Sequence, residues 1–96
     1  MPDKERMRLD KWLWCARFFK SRSLANRFCS ETGVRIAGAP VRRPHFALSV
    51  GDVLTFPLGS HIRTVRVKAL AMRRGPATEA RTLYEELSSA ASTMVG

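Results

Sequence analysis

Acidic residues are scarce in this chain and unevenly spread. Eight Asp and Glu stand against seventeen Lys and Arg, giving a formal net charge of +9 and an isoelectric point near 11.1. From Lys11 to Arg43 the single acid is Glu31, among eight basic residues, and from Val53 to Arg74 there is none among five. Ordinary solvated faces of mixed sign would intersperse more carboxylates. The imbalance selects for polyanionic partners, either nucleic acid or an anionic membrane surface. Cysteine is almost as scarce. Cys15 and Cys29 lack the paired spacing of a zinc or redox motif. Both fall inside apolar helical patterns and read as small buried hydrophobes, with a disulfide between two packed helices as the alternative. No apolar run is long enough to cross a bilayer and no secretory signal is visible, so a reducing, cytoplasmic setting is expected. There is no glycine-rich phosphate loop, since Gly51 and Gly59 stand alone in turn sequences. His45 and His61 have no acid or nucleophile at a recognisable spacing. No catalytic residue, metal site or cofactor is therefore expected.

What the chain does contain is 96 residues, 45% of them apolar, enough for one small globular domain. Met1 to Met7 is polar and mixed in charge, and reads as a loose terminus. A first helix is expected over Arg8 to Phe19. Leu9, Trp12, Leu13 and Ala16 recur at i, i+3, i+4 and i+7 and form one apolar stripe. Trp14 points about 200° away from Trp12 on the helical wheel. It either stacks on a base or packs against another part of the chain. Ser21, with Ser23 as the alternative, is the N-cap of a second helix whose apolar face is Leu24, Ala25, Phe28 and Cys29. Gly33 ends it. A helix start furnished with Lys20, Ser21, Arg22 and Ser23 is a natural phosphate site.

Beyond Gly33 the period shortens. Val34-Arg35-Ile36 and Ala39-Pro40-Val41 read as a hairpin turning on Ala37-Gly38, a pair in which Ala37 is a poor fit to the φ > 0 that a type I′ turn requires. A basic loop, Arg42-Arg43-Pro44, follows. Val50-Gly51-Asp52 is a turn, Val53 to Phe56 a strand, and Leu58-Gly59-Ser60 another turn. Ile62 to Leu70 alternates, with one apolar and one cationic face and a one-residue slip near Thr64 that suggests a bulge. Ala77 to Ser89 carries a helical stripe of Ala80, Leu83, Tyr84 and Leu87 with Glu79, Glu85 and Glu86 outward, and a disordered tail is expected over 90–96.

Four pieces then stand in a particular order: Arg8-Leu9-Asp10-Lys11; Ser21-Arg22-Ser23-x-Ala25; Gly33-Val34-x-Ile36-x-Gly38; and Val50-Gly51-Asp52-Val53. Together they resemble the S-four RNA-binding domain, named for ribosomal small-subunit protein four. Asp10-Lys11-Trp12-Leu13-Trp14 and Arg74-x-Pro76-Ala77-x-Glu79-Ala80-x-x-Leu83-Tyr84-Glu85-Glu86 are similar to a bacterial subgroup of it. That subgroup is the ribosome-associated heat-shock proteins of the fifteen-kilodalton class. The resemblance implies an α+β fold of two packed helices on a small antiparallel sheet, with a basic groove between helices and hairpin. The S-four core would span 8–57, with a further strand and a C-terminal helix over 58–89. Carried over position by position, it implies RNA contacts from Arg8, Lys11, Lys20, Ser21, Arg22, Ser23, Asn26 and Arg27, from Arg35 on the hairpin, and from Arg42 and Arg43 after it. Guanidinium forks, hydroxyls and helix N–H groups suit phosphate and 2′-OH.

The resemblance also implies a role on free large ribosomal subunits that still carry a nascent chain bound to tRNA, assisting their recycling in the heat-shock response. Two departures stand out. Ala37 replaces the family's usual Asn, and the subgroup's longer basic C-terminal extension has no counterpart, so the chain is a shorter relative or a trimmed form. The expectation is a non-catalytic, monomeric binder of structured RNA, with large-subunit rRNA as the partner and no membrane. A DNA-binding helix-turn-helix protein is the alternative from another class, and an S-four fragment of an RNA-modifying enzyme is a second. A helix-turn-helix would place its reading residues along the second helix, whereas here the basic residues gather at its start and on the hairpin.

Overall fold

The computed structural model describes residues 5–91. Two helices, α1 (Leu9–Cys15) and α2 (Arg22–Glu31), pack together. They lie against a five-stranded sheet made of β2 (Val34–Ile36), β3 (Ala39–Val41), β5 (Val53–Leu58), β6 (His61–Val67) and β7 (Tyr84–Ala91), in the order β3-β2-β5-β6-β7. Every pairing is antiparallel. A separate ribbon joins β1 (Met7–Arg8) to β4 (Ala47–Leu48), and a single helical turn, α3 (Ala77–Ala80), precedes β7. The expected α+β architecture is present.

The expected apolar stripe of α1 is buried throughout, from Leu9, Trp12 and Leu13 to Ala16. The helix itself stops at Cys15 rather than running on to Phe19. Arg17 takes the left-handed conformation at φ 65. Its N–H reaches the Trp14 carbonyl at 3.0 Å, and the Phe18 N–H reaches that of Leu13 at 3.1 Å. This is a Schellman ending with arginine where glycine is usual. The conformation costs about 1–2 kcal/mol for a residue with a Cβ. It turns Phe18 back into the core, where burial of such a ring stabilises by about 1.5–3 kcal/mol. Phe18 there meets Trp12, Phe56 and Tyr84, with ring centroids 6.1, 5.3 and 4.7 Å away. Burial of the ring therefore outweighs the strain at Arg17.

The start of α2 is as the sequence reads. Ser21 Oγ accepts the Leu24 N–H at 3.1 Å, and Gly33, at φ 87, ends the helix with its N–H on the Phe28 carbonyl. Ala25 and Cys29 are buried, whereas Leu24, expected on the same face, is 44% exposed. Cys15 and Cys29 are buried free thiols rather than a disulfide. Burial pushes both thiols up, Cys29 to about 12, which leaves them protonated and inert.

The hairpin β2–β3 turns on Ala37 at φ 53 and Gly38 at φ 83, in the register Ile36 to Ala39. Pro40 is tolerated because β3 is an edge strand. β5 and β6 pair from Val53–Arg66 to Leu58–His61 without interruption.

Four expectations are corrected. Met7 is not loose but pairs with Leu48, while residues 1–4 of that terminus lie outside the described residues. The C-terminal helix expected to Ser89 is only Ala77–Ala80 with a 3-10 turn at Arg81–Leu83; the chain then runs as β7 along β6. A continued helix would leave the second edge of β6 without backbone partners, and that cost outweighs an apolar stripe whose last member, Leu87, is 39% exposed. Ala90 and Ala91 of the expected tail belong to this strand, and 92–96 lie outside the described residues. Finally, the slip near Thr64 is a register shift between Thr64 and Val65, but the extra residue is Leu87 on β7. β6 itself alternates strictly. Arg63 therefore shares the inner face with Val65 and Val67, its guanidinium 4.9 Å from the centre of the Phe18 ring. The strand does not divide into an apolar and a cationic face.

Candidate nucleic-acid interface

The site is built around one carboxylate. Asp10, in the first turn of α1, is 1% exposed. Its oxygens accept Arg8 Nε and Nη2 at 3.1 Å each, Asn26 Nδ2 at 3.0 Å and the Lys11 N–H at 2.7 Å, with Arg22 Nη2 at 3.8 Å. Burial pushes the Asp10 carboxyl up. The hydrogen bonds from Arg8 and Asn26, the Arg8 charge and the Lys11 N–H outweigh it and hold the group below its ordinary value. Asp10 thus ties the start of α1 to the side of α2, holding the Arg8 guanidinium and the Asn26 amide by hydrogen bonds with the Arg22 guanidinium in ion-pair range beside them. Arg8 and Arg22 remain 49% and 42% exposed at the side chain, so each keeps donors for a ligand.

The two helix starts differ in what they offer. On α1 the Leu9 and Asp10 N–H groups go to the Phe46 and Pro44 carbonyls at 2.9 and 3.0 Å, and Lys11 N–H goes to Asp10. None of these three is available to a phosphate. On α2, Ser21 takes the Leu24 and Ala25 N–H groups, while those of Arg22 and Ser23 have no protein acceptor among the described residues. The end of α2 that points its N–H groups outward is therefore the one flanked by Arg8, Arg22 and the exposed Lys20.

The structure brings Arg8, Arg22, Ser23, Asn26 and Arg27 together around one shallow depression above Asp10. Lys11 lies on an adjoining groove that shares Arg8 and Arg22 with it. Arg43 lines neither depression; it is exposed on the loop whose Pro44 carbonyl accepts the Asp10 N–H. Arg35 and Arg42 are placed elsewhere. They line a depression against Pro40, Pro57 and Ile62 that shares no residue with the corner. The single groove expected between helices and hairpin is thus two surfaces. Trp14 packs against the chain: the Arg74 guanidinium lies 5.7 Å from its ring centre and donates to the Trp14 carbonyl.

Asp10 was not among the expected site residues. Its signal was present, as an acid two residues from Arg8 and next to Lys11 at the head of a run of cations. The four polar neighbours that make it the organiser become visible only when α1 and α2 are packed.

The residues of this corner fall within a segment that matches a known family. The S4 domain family model matches residues 7–54, from β1 into β5. The chain belongs to the S4 domain family. Escherichia coli heat shock protein 15 is 44% identical over 80 residues, which are 83% of this chain and 59% of that protein. The Haemophilus influenzae heat shock protein 15 homolog is 36% identical over 93% of this chain and 66% of its own length. The chain thus spans about three fifths of the length of the Escherichia coli relative. A solved structure, described as the trimeric structure of Vibrio cholerae heat shock protein 15, superposes with a TM-score of 0.81 at 36% identity, covering 88% of this chain and 84% of that one. The resemblance of residues 7–54 to an S4 domain, and of most of the chain to the fifteen-kilodalton heat-shock class, is therefore established. In this S4 chain the elements wholly outside 7–54 include β6, α3 and β7; β6 and β7 complete the sheet, and their Arg63 and Tyr84 lie against Phe18.

Proposed function

We propose that the chain is a non-catalytic binder of structured RNA, acting on rRNA of the large ribosomal subunit and assisting recycling of free subunits that carry a nascent chain on tRNA. The observation that carries the binding is the Asp10-centred corner, where Arg8, Arg22 and Asn26 are fixed beside the open N–H groups of α2. Such a corner suits a bent backbone that presents phosphate and 2′-OH together, more than the regular major groove of duplex DNA, which would be read along the length of α2. Its groups are cations, hydroxyls, an amide and a carboxylate already saturated with donors, an equipment for recognition rather than proton transfer. The ribosomal target and the heat-shock role rest on similarity to heat shock protein 15. We propose that a monomer suffices for binding. With no helix among the described residues long and apolar enough to cross a membrane, a cytoplasmic location is part of the same proposal.

The decisive experiment is binding of Arg22→Ala and the parent to structured rRNA and to duplex DNA across a salt series. Affinity for RNA is expected to fall in the variant, and the dependence of log K on log salt to lessen by roughly one unit. An unchanged slope would remove Arg22 from the interface, and tighter binding to duplex DNA than to RNA would replace this proposal with the helix-turn-helix one. Crosslinking in cells should recover large-subunit rRNA.

A further inference from the structure

A second groove, of about 690 Å³, opens beside the corner on the far side of Arg8 and Arg22. That volume lies within the ~300–1,000 Å³ of small-ligand clefts. Its wall is the connection that follows β6, which the S4 match does not include. The wall is held in place. Trp12 Nε1 donates to the Ala69 carbonyl at 3.0 Å, and the Lys68 and Ala69 N–H groups both donate to the Leu83 carbonyl. Arg6, Lys11 and Lys68 rim the groove, with Glu5 as its single carboxylate. None of these three cations has an ion-pair partner among the described residues. Its apolar lining includes Met7, Val50, Leu70 and Met72. Val50 is 48% and Met72 91% exposed, so their apolar surface is open to a ligand.

We propose that this groove receives one unpaired base of the bound RNA, splayed out of its stack next to the phosphates held by Arg8 and Arg22. The inference rests on the RNA-binding reading above and narrows its substrate to structured RNA carrying a bulged or looped-out nucleotide. Charge decides for a nucleotide. Its flat apolar faces fit against Val50, Leu70 and Met72, while its own and its neighbour's phosphates fall to the cationic rim. The two depressions share Arg8 and Arg22, so a backbone lying on those residues has the α2 corner on one side and the groove on the other. A fully paired helix has no base to offer, and the groove adds nothing to its binding.

The test uses three hairpin RNAs that are fully paired, carry a single-nucleotide bulge, or carry the same bulge without its base. The parent chain is expected to prefer the bulged RNA roughly fivefold or more over the paired one, and to lose that preference when the base is removed. The doubly substituted Val50→Ser, Met72→Ser chain, altered only at exposed positions, should bind paired RNA as the parent does and show no preference. Lys68→Ala should lessen the salt slope on bulged RNA by about one unit. Equal binding of bulged and paired RNA, a preference that survives loss of the base, or a preference kept by the double variant would each overturn the groove proposal while leaving the corner intact. Failure to bind any of the three RNAs would overturn the RNA reading itself.

Discussion

Asp10 shows how one buried carboxylate can serve a basic surface. It lowers the net charge, yet it fixes Arg8, Arg22 and Asn26 in one place, and oriented donors recognise phosphate better than mobile ones. The two effects predict opposite outcomes for Asp10→Asn. If charge alone governed binding, the variant would bind RNA more tightly. Because geometry governs it, RNA affinity is expected to fall although a negative charge has been removed, and titration at matched salt reads the sign. The same substitution removes a buried acceptor of charged donors and should cost about 1–3 kcal/mol of stability in a denaturant titration at neutral pH. The folded-state pKa of Asp10 lies below its ordinary 3.8, so its contribution is present above that value and is lost as pH falls through the folded pKa. The stability gap between parent and variant should therefore close on acidification below about pH 3.8. A gap that persists unchanged at lower pH would show that the interaction does not depend on the charge of Asp10. The cations of the corner were legible from their density in the sequence. Asp10 is visible there as an acid beside them, but its organising role is not, because that role depends on Asn26, sixteen positions away on the other helix.

At the scale of the elements, legibility follows how local the deciding interaction is. Both ends of α2 could be read because Ser21 and Gly33 act on their own backbone neighbours. The end of α1 could not, because what stabilises Arg17 at φ 65 is the docking of Phe18 on Phe56 and Tyr84, far along the chain. The last segment departs from its sequence pattern for the same reason: Ala80, Leu83, Tyr84 and Leu87 satisfy a helical period, and only the unpaired edge of β6 selects a strand. The hairpin turn was read correctly, and its strain is measurable. Ala37 sits at φ 53 with its side chain exposed, so Ala37→Asn should raise stability by about 1 kcal/mol in a thermal melt. A lowered midpoint would show that the turn is not strained. The β6–β7 pairing makes a contrasting prediction. Arg63 lies over Phe18 and pairs with Glu86 at 25% side-chain exposure, whereas the Arg66–Glu85 pair, at 2.9 Å, is about half exposed. Arg63→Ala should cost about 1–2 kcal/mol, and Arg66→Ala no more than about 0.5 kcal/mol. Equal costs in parallel denaturant titrations would mean that stacking on Phe18 contributes nothing.

Over the whole molecule, the formal charge of +9 is not spread as the sequence alone suggests. The acid-free stretch Val53 to Arg74 looked like a second cationic surface. In the folded chain β7 brings Glu85 and Glu86 against Arg66 and Arg63, and Arg74 turns inward onto the carbonyls of Trp14 and Phe19. Positive charge that lies far apart from carboxylates in sequence is thus neutralised or engaged by tertiary pairing. Among the described residues, exposed cations without a carboxylate partner remain around the starts of α1 and α2, on the adjoining groove and on the loop after β3, and singly at Arg35, Arg73 and Arg81. Only charges that meet phosphate displace counterions, so formal charge and salt dependence should separate. Arg43→Ala and Arg66→Ala each remove one positive charge from an exposed side chain. Arg43 belongs to the loop hydrogen-bonded to the start of α1, and Arg66 is paired with Glu85 at the opposite end of the sheet from β3. The slope of log K against log salt on structured RNA should lessen by about one unit for Arg43→Ala and stay unchanged for Arg66→Ala. Equal changes in the two slopes would mean that the chain attracts RNA through its net charge alone, and the corner around Asp10 would then hold no special place in binding.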